Sequence, residues 1–383
     1  MNFLEMSQSE LEQRGAELTA REIGQQPELW KNVASIISHD GDLRPFIDPL
    51  MENPELQVVL TGAGTSGCIG ECLTPVLTRR FGMRIHAVAT TDLVSGPENW
   101  LARSSPVLLV SFARSGNSPE SLAALELAER AVTQCHHLII TCNREGQLFR
   151  QGRERRNSHA IALPDASNDR GFAMTSSFSS MLLSGAMAFQ LLPSDTTATL
   201  ALSTRQALID FRKLTHLTRS GFERVIYLGS GVFRGLAREA ALKMLELTDG
   251  RIVAQSDTPL GFRHGPKTIV NSRTLVIMFV SNDRYARAYD LDLFEELCRD
   301  NIAAQVLALG AADTEIRSGQ IVHLPVPPAT PDLDLCFPYV VFAQSLALQQ
   351  SLALGLRPDV PNERGVVNRV VQGVSIYPWN AAE

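Results

Sequence analysis

The chain has 383 residues, of which 44% are hydrophobic and 20% charged, and its formal net charge is -6. A chain of this length exceeds the size at which single hydrophobic cores stop growing, so we expect two domains. The net negative charge gives no basic surface for nucleic acid or anionic lipid, and we expect neither as a partner.

The N-terminal segment 1–6 lacks both the basic and the apolar region of a signal peptide. No apolar run approaches the roughly 18 residues of a membrane span, so a cytoplasmic protein without membrane contact is expected. The six cysteines include no C-x-x-C pair and have no neighbouring histidine cluster. This pattern favours structural thiols over a zinc site, and we expect neither a metal nor a cofactor.

Residues 1–50 are predicted to form a helical arm. Apolar periodicity indicates one helix over 8–23 and a second over 28–37, with an interruption between them. Pro45 and Pro49 then punctuate the chain. We expect this arm to pack on the domains that follow.

An apolar run that ends in glycine occurs twice, at 58–66 and 225–231, and Val58 and Val225 are 167 positions apart. Three further pairs of apolar runs follow in the same order, namely 107–111 with 275–281, 138–140 with 306–309, and 161–164 with 322–325. A long apolar helix is predicted after each fourth run, over 174–192 and 337–354. The repeated order and spacing indicate a duplicated unit.

Short apolar runs that alternate with helical patterns are typical of buried parallel sheets. We therefore predict an α/β fold with two doubly wound domains, each a parallel sheet with helices on both faces. The predicted boundaries are 1–50 for the arm, 51–205 for the first domain and 206–383 for the second domain with its C-terminal tail. A helix over 197–217 is expected near the junction.

A stretch of small polar residues over 111–121 follows a buried strand and leads into a predicted helix over 122–131. Hydroxyl groups and free backbone N–H groups at a helix N-terminus form an anion site. Ordinary N-capping by Ser118, with Pro119 at the first helical position, is the alternative interpretation. Thr65 and Ser66 follow the glycine turn of another strand and are expected at the same sheet edge.

The glycines at 62, 64 and 67 do not complete a dinucleotide fingerprint, and no Gly-Lys-Ser/Thr of a P-loop follows. A phosphorylated small molecule is therefore favoured over a nucleotide.

Glu239, Lys243 and Glu246 are spaced i, i+4 and i+7, so they share one face of a predicted helix. The apolar positions that can supply a buried face are Ala240, Leu242, Leu245 and Leu247. A solvated ion pair on a surface helix is one interpretation. Because the helix follows a Gly-rich turn after an apolar run, where parallel-sheet proteins bind ligands, we favour a functional site.

Five runs together resemble the sugar isomerase (SIS) family, in particular double-SIS proteins such as the isomerase half of glucosamine-6-phosphate synthase. The similarity is greater to the AgaS-type galactosamine-6-phosphate deaminase/isomerases, and it covers about residues 20–380. The runs that carry it are 60–66, 115–121, 169–177, 261–267 and 367–374.

The resemblance implies a substrate site built from small polar residues. The family holds the sugar phosphate at positions that match Thr65, Ser66, Ser115 and Ser118. Arg114 and Asn117 line the same turn. Thr175 and Ser176 match the stretch that contacts the sugar chain.

The resemblance also implies catalytic roles. Glu246 matches the catalytic base, Lys243 the neighbouring lysine and Glu239 the acid one turn earlier, while His264 matches the histidine that opens the sugar ring. In the synthase this histidine comes from the neighbouring subunit, so a homodimer or larger homo-oligomer with shared sites is expected. Without the resemblance, His264 is an ordinary turn residue, and the role of Arg369 stays open.

Three functions fit these residues. The first is isomerising deamination of galactosamine 6-phosphate to tagatose 6-phosphate and ammonia, by proton transfer from C2 to C1. The second is tagatose-6-phosphate ketose/aldose isomerisation without deamination, and the third is a non-catalytic sugar-phosphate-binding regulator. The presence of Glu246 favours an enzyme, whereas galacto and gluco substrates are not distinguished.

Overall fold

The computed structural model describes residues 6–82, 84–211, 214–362, 364–371 and 373–379. These residues contain two five-stranded parallel sheets with helices packed around them. Residues 1–5 of the predicted arm and 380–383 of the predicted tail lie outside the described ranges. Among the described helices, none combines the length and the apolar character needed to cross a membrane.

The arm contains three helices, α1 (Gln8–Gln13), α2 (Glu17–Ser38) and α3 (Leu43–Met51). The predicted interruption between 23 and 28 is wrong, because α2 continues through Pro27. Proline lacks the N–H that would bind the carbonyl of Ile23, and Gln26 Nε2 donates to that oxygen instead at 3.1 Å. The chain breaks earlier, at Gly15, where φ is +60°.

The first sheet has the strand order β2-β1-β3-β4-β5, and all pairings are parallel. Its strands are β1 (Gln57–Gly62), β2 (Arg84–Ala89), β3 (Val107–Ala113), β4 (Cys135–Thr141) and β5 (Ser158–Ala162). The helices within and after it are α4 (Thr65–Phe81), α5 (Thr90–Ser95), α6 (Pro119–Ala131), α7 (Gln147–Glu154) and α8 (Ser176–Ala188).

The second sheet repeats this arrangement with the order β10-β9-β8-β6-β7. Its strands are β6 (Arg224–Gly229), β7 (Val253–Asp257), β8 (Thr274–Phe279), β9 (Gln305–Ala311) and β10 (Gln320–Leu324). The helices are α9 (Thr196–Phe211), α10 (Thr215–Thr218), α11 (Phe233–Leu247), α12 (Pro259–Phe262), α13 (Arg284–Asp300) and α14 (Asp332–Ala353). The predicted duplicated α/β fold is confirmed.

One strand in each sheet was not predicted. β2 and β7 lie at the sheet edges, next to β1 and β6. Every residue of the central strands β1, β3 and β8 is buried, whereas no residue of β7 is fully buried. Because edge strands keep polar residues, the continuous apolar signal that revealed the central strands is absent from them.

The chain forms two compact units that interleave along the sequence. The second-sheet unit comprises Met1–Glu28, Arg170–Thr175 and Asp195–Gly365, and the first-sheet unit comprises Leu29–Asp169, Ser176–Ser194 and Val366–Glu383. The contiguous domains 51–205 and 206–383 remain a prediction.

Candidate functional site

The Ser-rich turn lies at the carboxyl end of β3, in the centre of the first sheet. Gly116 has φ +62°, which lets the chain reverse direction before α6 begins. Ser118 is the N-cap of α6, and its Oγ accepts a hydrogen bond from the N–H of Ser121. The capping interpretation therefore holds for Ser118, but it does not exclude anion binding, because the first turn of a helix has further N–H groups without intrahelical partners.

The neighbouring strand connection holds this turn in place. Asn143 Nδ2 donates to the carbonyl of Ser115 at 2.8 Å, and the N–H of Leu148 donates to the carbonyl of Gly116 at 2.9 Å. Asn117 Oδ1 accepts from the N–H of Gln147 at 3.0 Å. Two contacts to the turn backbone and one to the Asn117 side chain thus hold the turn in a fixed conformation, which lowers the entropy cost of ligand binding.

Thr65 and Ser66 begin α4 at the end of the adjacent strand β1, and both are buried. The helix approaches the strand closely, since a Cβ on Gly62 would lie 2.6 Å from the backbone of Ser66. Gly229 occupies the same place in the second sheet, where a Cβ would lie 2.5 Å from Phe233. Both glycines are therefore required for close packing of strand and helix.

The C-terminal segment contacts Arg114, the residue that precedes the Ser-rich turn. Arg114 is buried and donates through a guanidinium nitrogen to the carbonyl of Arg369. Arg369 in turn donates through Nε to the carbonyl of Asp169 at 3.0 Å. Sequence reasoning left the role of Arg369 open, and in the structure it connects these two loops of the first-sheet unit.

The segment 169–177 is fixed by two buried carboxylates. Asp169 accepts from the N–H groups of Ser176 and Ser177 at 3.1 and 2.9 Å. Within the other unit, Glu22 accepts from the N–H of Arg170 at 2.6 Å. Thr175 and Ser176 have no exposed surface, and their sugar contacts stay a prediction.

The structure brings the three charged residues of α11 together. Lys243 Nζ lies 3.6 Å from Glu239 Oε1 and forms a second ion pair with Glu246. The side chains of Glu239 and Lys243 are 0% exposed, whereas that of Glu246 is 26% exposed. A solvated surface pair is thereby excluded, and Glu246 is the member of this group that a ligand can reach.

The predicted burial of this helix was partly wrong. Leu245 is exposed and Leu242 half-buried, while Ala240 and Leu247 are buried as expected. The periodicity placed the three charged residues on one face of α11, but it did not predict that this face is largely buried. Because α11 packs against α14 as well as against β6 and β7, the charged face is largely inside the unit.

His264 lies on the loop after β7 and its side chain is exposed. Among the described residues, its ring makes no hydrogen bond or ion pair with the charged residues of α11. The structure therefore does not join His264 to this group within the second-sheet unit.

The second sheet has its own carboxyl edge, but carboxylates of the chain fill it. Asp290 accepts from the hydroxyl of Ser230 and from the N–H of Ser281. Asp332 accepts from the N–H of Asn282 at 2.6 Å. Burial raises the pKa of Asp290 to about 6 and also raises that of Asp332. The hydroxyl of Ser230 and the N–H groups of Ser281 and Asn282 are thus used internally.

Neither Cys135 nor Cys142 is an activated nucleophile. All six cysteines are free, and five of them are buried. Burial raises the pKa of Cys135 and of Cys142 to about 12, so both stay protonated at neutral pH. Among the described residues, no group of His, Cys, Asp and Glu has the arrangement of a metal centre.

Comparison with known proteins identifies similar sequences and structures. The SIS domain model matches residues 51–191. The D-galactosamine-6-phosphate deaminase AgaS of Escherichia coli O157:H7 is 44% identical over 370 residues, which cover 95% of this chain and 96% of that protein. The protein of the same name from Shewanella sp. (strain ANA-3) is 40% identical over 379 residues, which cover 98% and 95%.

One solved structure is also similar to this chain in sequence and in fold. The crystal structure of tagatose-6-phosphate ketose/aldose isomerase from Escherichia coli is 41% identical and has a TM-score of 0.87. The match covers 95% of this chain and 97% of that chain.

Proposed function

Because the chain belongs to the SIS family and is 40–44% identical to AgaS deaminases over nearly its whole length, we propose that it deaminates galactosamine 6-phosphate. The products are tagatose 6-phosphate and ammonia, and one water is consumed. The observation that carries the proposal is the group of Glu239, Lys243 and Glu246 on α11, where a reachable carboxylate lies against a buried ammonium.

Glu246 is the proposed general base. Its carboxylate removes the proton from C2 of the open-chain sugar, and the electron pair moves to the C1 carbonyl, which gives an enolamine. The Lys243 ammonium stabilises negative charge that develops during this step, and Glu239 holds the ammonium in place. Return of the proton to C1, together with transfer of one amine proton to the C1 oxygen, gives a ketimine at C2 and a hydroxymethyl group at C1.

Hydrolysis completes the reaction. Water adds to C2 of the ketimine, the C2–N bond breaks, and ammonia leaves to give the ketose phosphate. Each step moves protons and electron pairs within substrate, water and these side chains, so the chemistry needs neither a metal nor a redox cofactor.

The Ser-rich turn is the proposed phosphate site. Ser115, Ser118, Thr65 and Ser66 would supply hydroxyl and backbone donors, with Asn117 on the rim of the turn and Arg114 beneath it. The support is the position of the turn at a helix N-terminus and at the carboxyl edge of a parallel sheet.

His264 is the proposed ring-opening residue, and we propose that it acts in the site of a neighbouring subunit of a homo-oligomer. Its exposed position on the loop supports this assignment. The test is to mix inactive His264→Ala and Glu246→Gln subunits under conditions of subunit exchange. Recovered activity is expected if the two residues act from different chains, whereas a mixture as inactive as its parents would reject the shared site.

The similarity to the tagatose-6-phosphate ketose/aldose isomerase of Escherichia coli supports a second candidate, which is ketose/aldose isomerisation with the same base and no loss of nitrogen. Ammonia release measured across amino-sugar 6-phosphates and hexose 6-phosphates separates the two. We expect stoichiometric ammonia and ketose phosphate from galactosamine 6-phosphate. Interconversion of hexose phosphates, together with no ammonia from any amino sugar, would establish isomerisation instead.

A further inference from the structure

The loop that carries His264 connects β7 to β8 and is anchored in the core through Phe262. Phe262 has no exposed surface and packs in the hydrophobic core of the second-sheet unit. The N–H of His264 donates to the carbonyl of Gly261 at 2.9 Å. The His264 ring itself makes no hydrogen bond with a described residue, so the loop backbone determines where the imidazole lies.

Two cations flank His264, and both bind one carboxylate on α13. Arg263 donates to Glu296 through Nε at 3.0 Å and through a terminal nitrogen at 2.7 Å. Lys267 forms an ion pair with the other oxygen of the same carboxylate. Glu296 therefore contacts the loop on both sides of His264, at Arg263 and at Lys267.

Further acids on the same face of α13 support this contact. Asp292, Glu296 and Asp300 are spaced i, i+4 and i+8, which places them in one row along the helix. Asp292 Oδ2 lies 2.8 Å from Arg263, and Asp300 Oδ2 lies 2.5 Å from Lys267. The hydrogen bond from Lys267 lowers the pKa of Glu296, so Glu296 stays ionised at neutral pH.

Partly exposed ion pairs contribute little to overall stability when each stands alone. Here two pairs from one short loop converge on one side chain, and Gly265, with φ +118°, lies between them. The consequence of such an arrangement is restricted motion of the intervening backbone rather than a large gain in folding free energy.

We propose that Glu296 is a positioning residue, which fixes the loop on both sides of His264 and so places the imidazole for ring opening. The restriction of the loop stands on the contacts alone. Its catalytic consequence rests on the proposed function, because it requires that His264 acts on the sugar ring.

The main test is Glu296→Gln, which keeps the shape of the side chain and removes its charge. The matched control is Glu295→Gln on the same helix, since Glu295 lies 3.7 Å from Arg317 and does not pair with the loop. With cyclic galactosamine 6-phosphate, we expect kcat to fall about 10-fold in Glu296→Gln with KM within about twofold, as for a misplaced catalytic group. Glu295→Gln should match the wild type, and equal activity of both variants would overturn the catalytic role.

The double variant His264→Ala/Glu296→Gln shows whether the two residues act through one step. We expect it to be as slow as His264→Ala alone, because Glu296 has nothing left to position. Two losses that multiply would show that Glu296 affects catalysis independently of His264, which overturns the proposal.

Hydrogen–deuterium exchange of residues 258–270 tests the loop without using activity. Exchange should become faster in Glu296→Gln and stay unchanged in Glu295→Gln. Equal exchange in Glu296→Gln and wild type would overturn the restriction itself. If the wild type turned over no phosphosugar, the proposed function would fail, and the exchange result would still decide whether Glu296 holds the loop.

Discussion

Lys243→Met should show how much the charged group on α11 contributes to the stability of the fold, apart from its contribution to catalysis. The substitution keeps a long unbranched side chain and removes the ammonium that lies 3.6 Å from Glu239 Oε1. Because Glu239 is 0% exposed, its carboxylate stays in a buried site without this cation. Removing one partner of a buried ion pair costs about 3–5 kcal/mol. For a unit of this size, that corresponds to a fall in Tm of roughly 6–20 °C.

The double variant Lys243→Met/Glu239→Gln provides the internal comparison. With both of these charges removed, the buried Glu239 carboxylate no longer stays behind without the Lys243 ammonium, so more than half of the lost stability should return. Glu246→Gln should cost no more than about 1 kcal/mol, as expected for a more exposed ion pair. The Glu246 side chain is 26% exposed, whereas that of Lys243 is 0% exposed.

The assay is thermal unfolding followed by circular dichroism, with ammonia release measured on the same samples. We expect the three variants to differ widely in Tm, while Lys243→Met and Glu246→Gln both lose activity. A Tm of Lys243→Met within about 2 °C of wild type, or a double variant no more stable than the single one, would refute the electrostatic reasoning.

Three further results are expected. Glu246→Gln should lower the rate of solvent hydrogen exchange at C2 and the rate of ammonia release together, by about 100-fold or more. Exchange at the wild-type rate without product formation would show that Glu246 acts in a step after proton abstraction. Ser115→Ala and Ser118→Ala should raise KM more than they lower kcat, since phosphate contacts exist in both ground and transition states; an unchanged KM would remove this turn from the site. Burial raises the pKa of Asp334 to about 6, so ionisation disfavours the folded state as pH rises from about 4 to 6. The free energy of unfolding of Asp334→Asn should therefore rise by roughly 1–3 kcal/mol relative to that of the wild type across this range, and the difference should persist at higher pH. Urea denaturation at pH 4, 6 and 8 measures the difference. A difference that does not change with pH would contradict this expectation.

Sequence periodicity predicted the central strands and the duplication because β1, β3, β6 and β8 are buried on both faces and read as continuous apolar runs. The edge strand β7 gave no such signal, since its sequence includes Gln255, Ser256 and Asp257. The path of α2 through Pro27 depends on a side-chain contact from Gln26, and propensity alone favours a break there.

Prediction of the candidate site depended on how local each feature is. The shared face of Glu239, Lys243 and Glu246 follows from helical spacing, but their burial depends on elements far away in sequence, such as α14. The contact between Lys267 and Glu296 joins residues 29 positions apart. No local sequence pattern indicates such a pairing. The spacing of Asp292, Glu296 and Asp300 on α13 is typical of an ordinary solvated helix face.

The carboxylates of Asp290 and Asp332 have a thermodynamic consequence for the second sheet. They accept hydrogen bonds from the N–H groups of Ser281 and Asn282, so these two donors are satisfied within the chain. In the first sheet, no carboxylate among the described residues accepts a hydrogen bond from 115–118. An anion that binds this turn adds its binding free energy to folding, by RT ln(1 + [L]/Kd). Under the proposed phosphate site, the Ser-rich turn thus links the stability of the first-sheet unit to the concentration of a phosphorylated ligand, whereas Ser281 and Asn282 at the corresponding edge of the second sheet are satisfied by the chain itself.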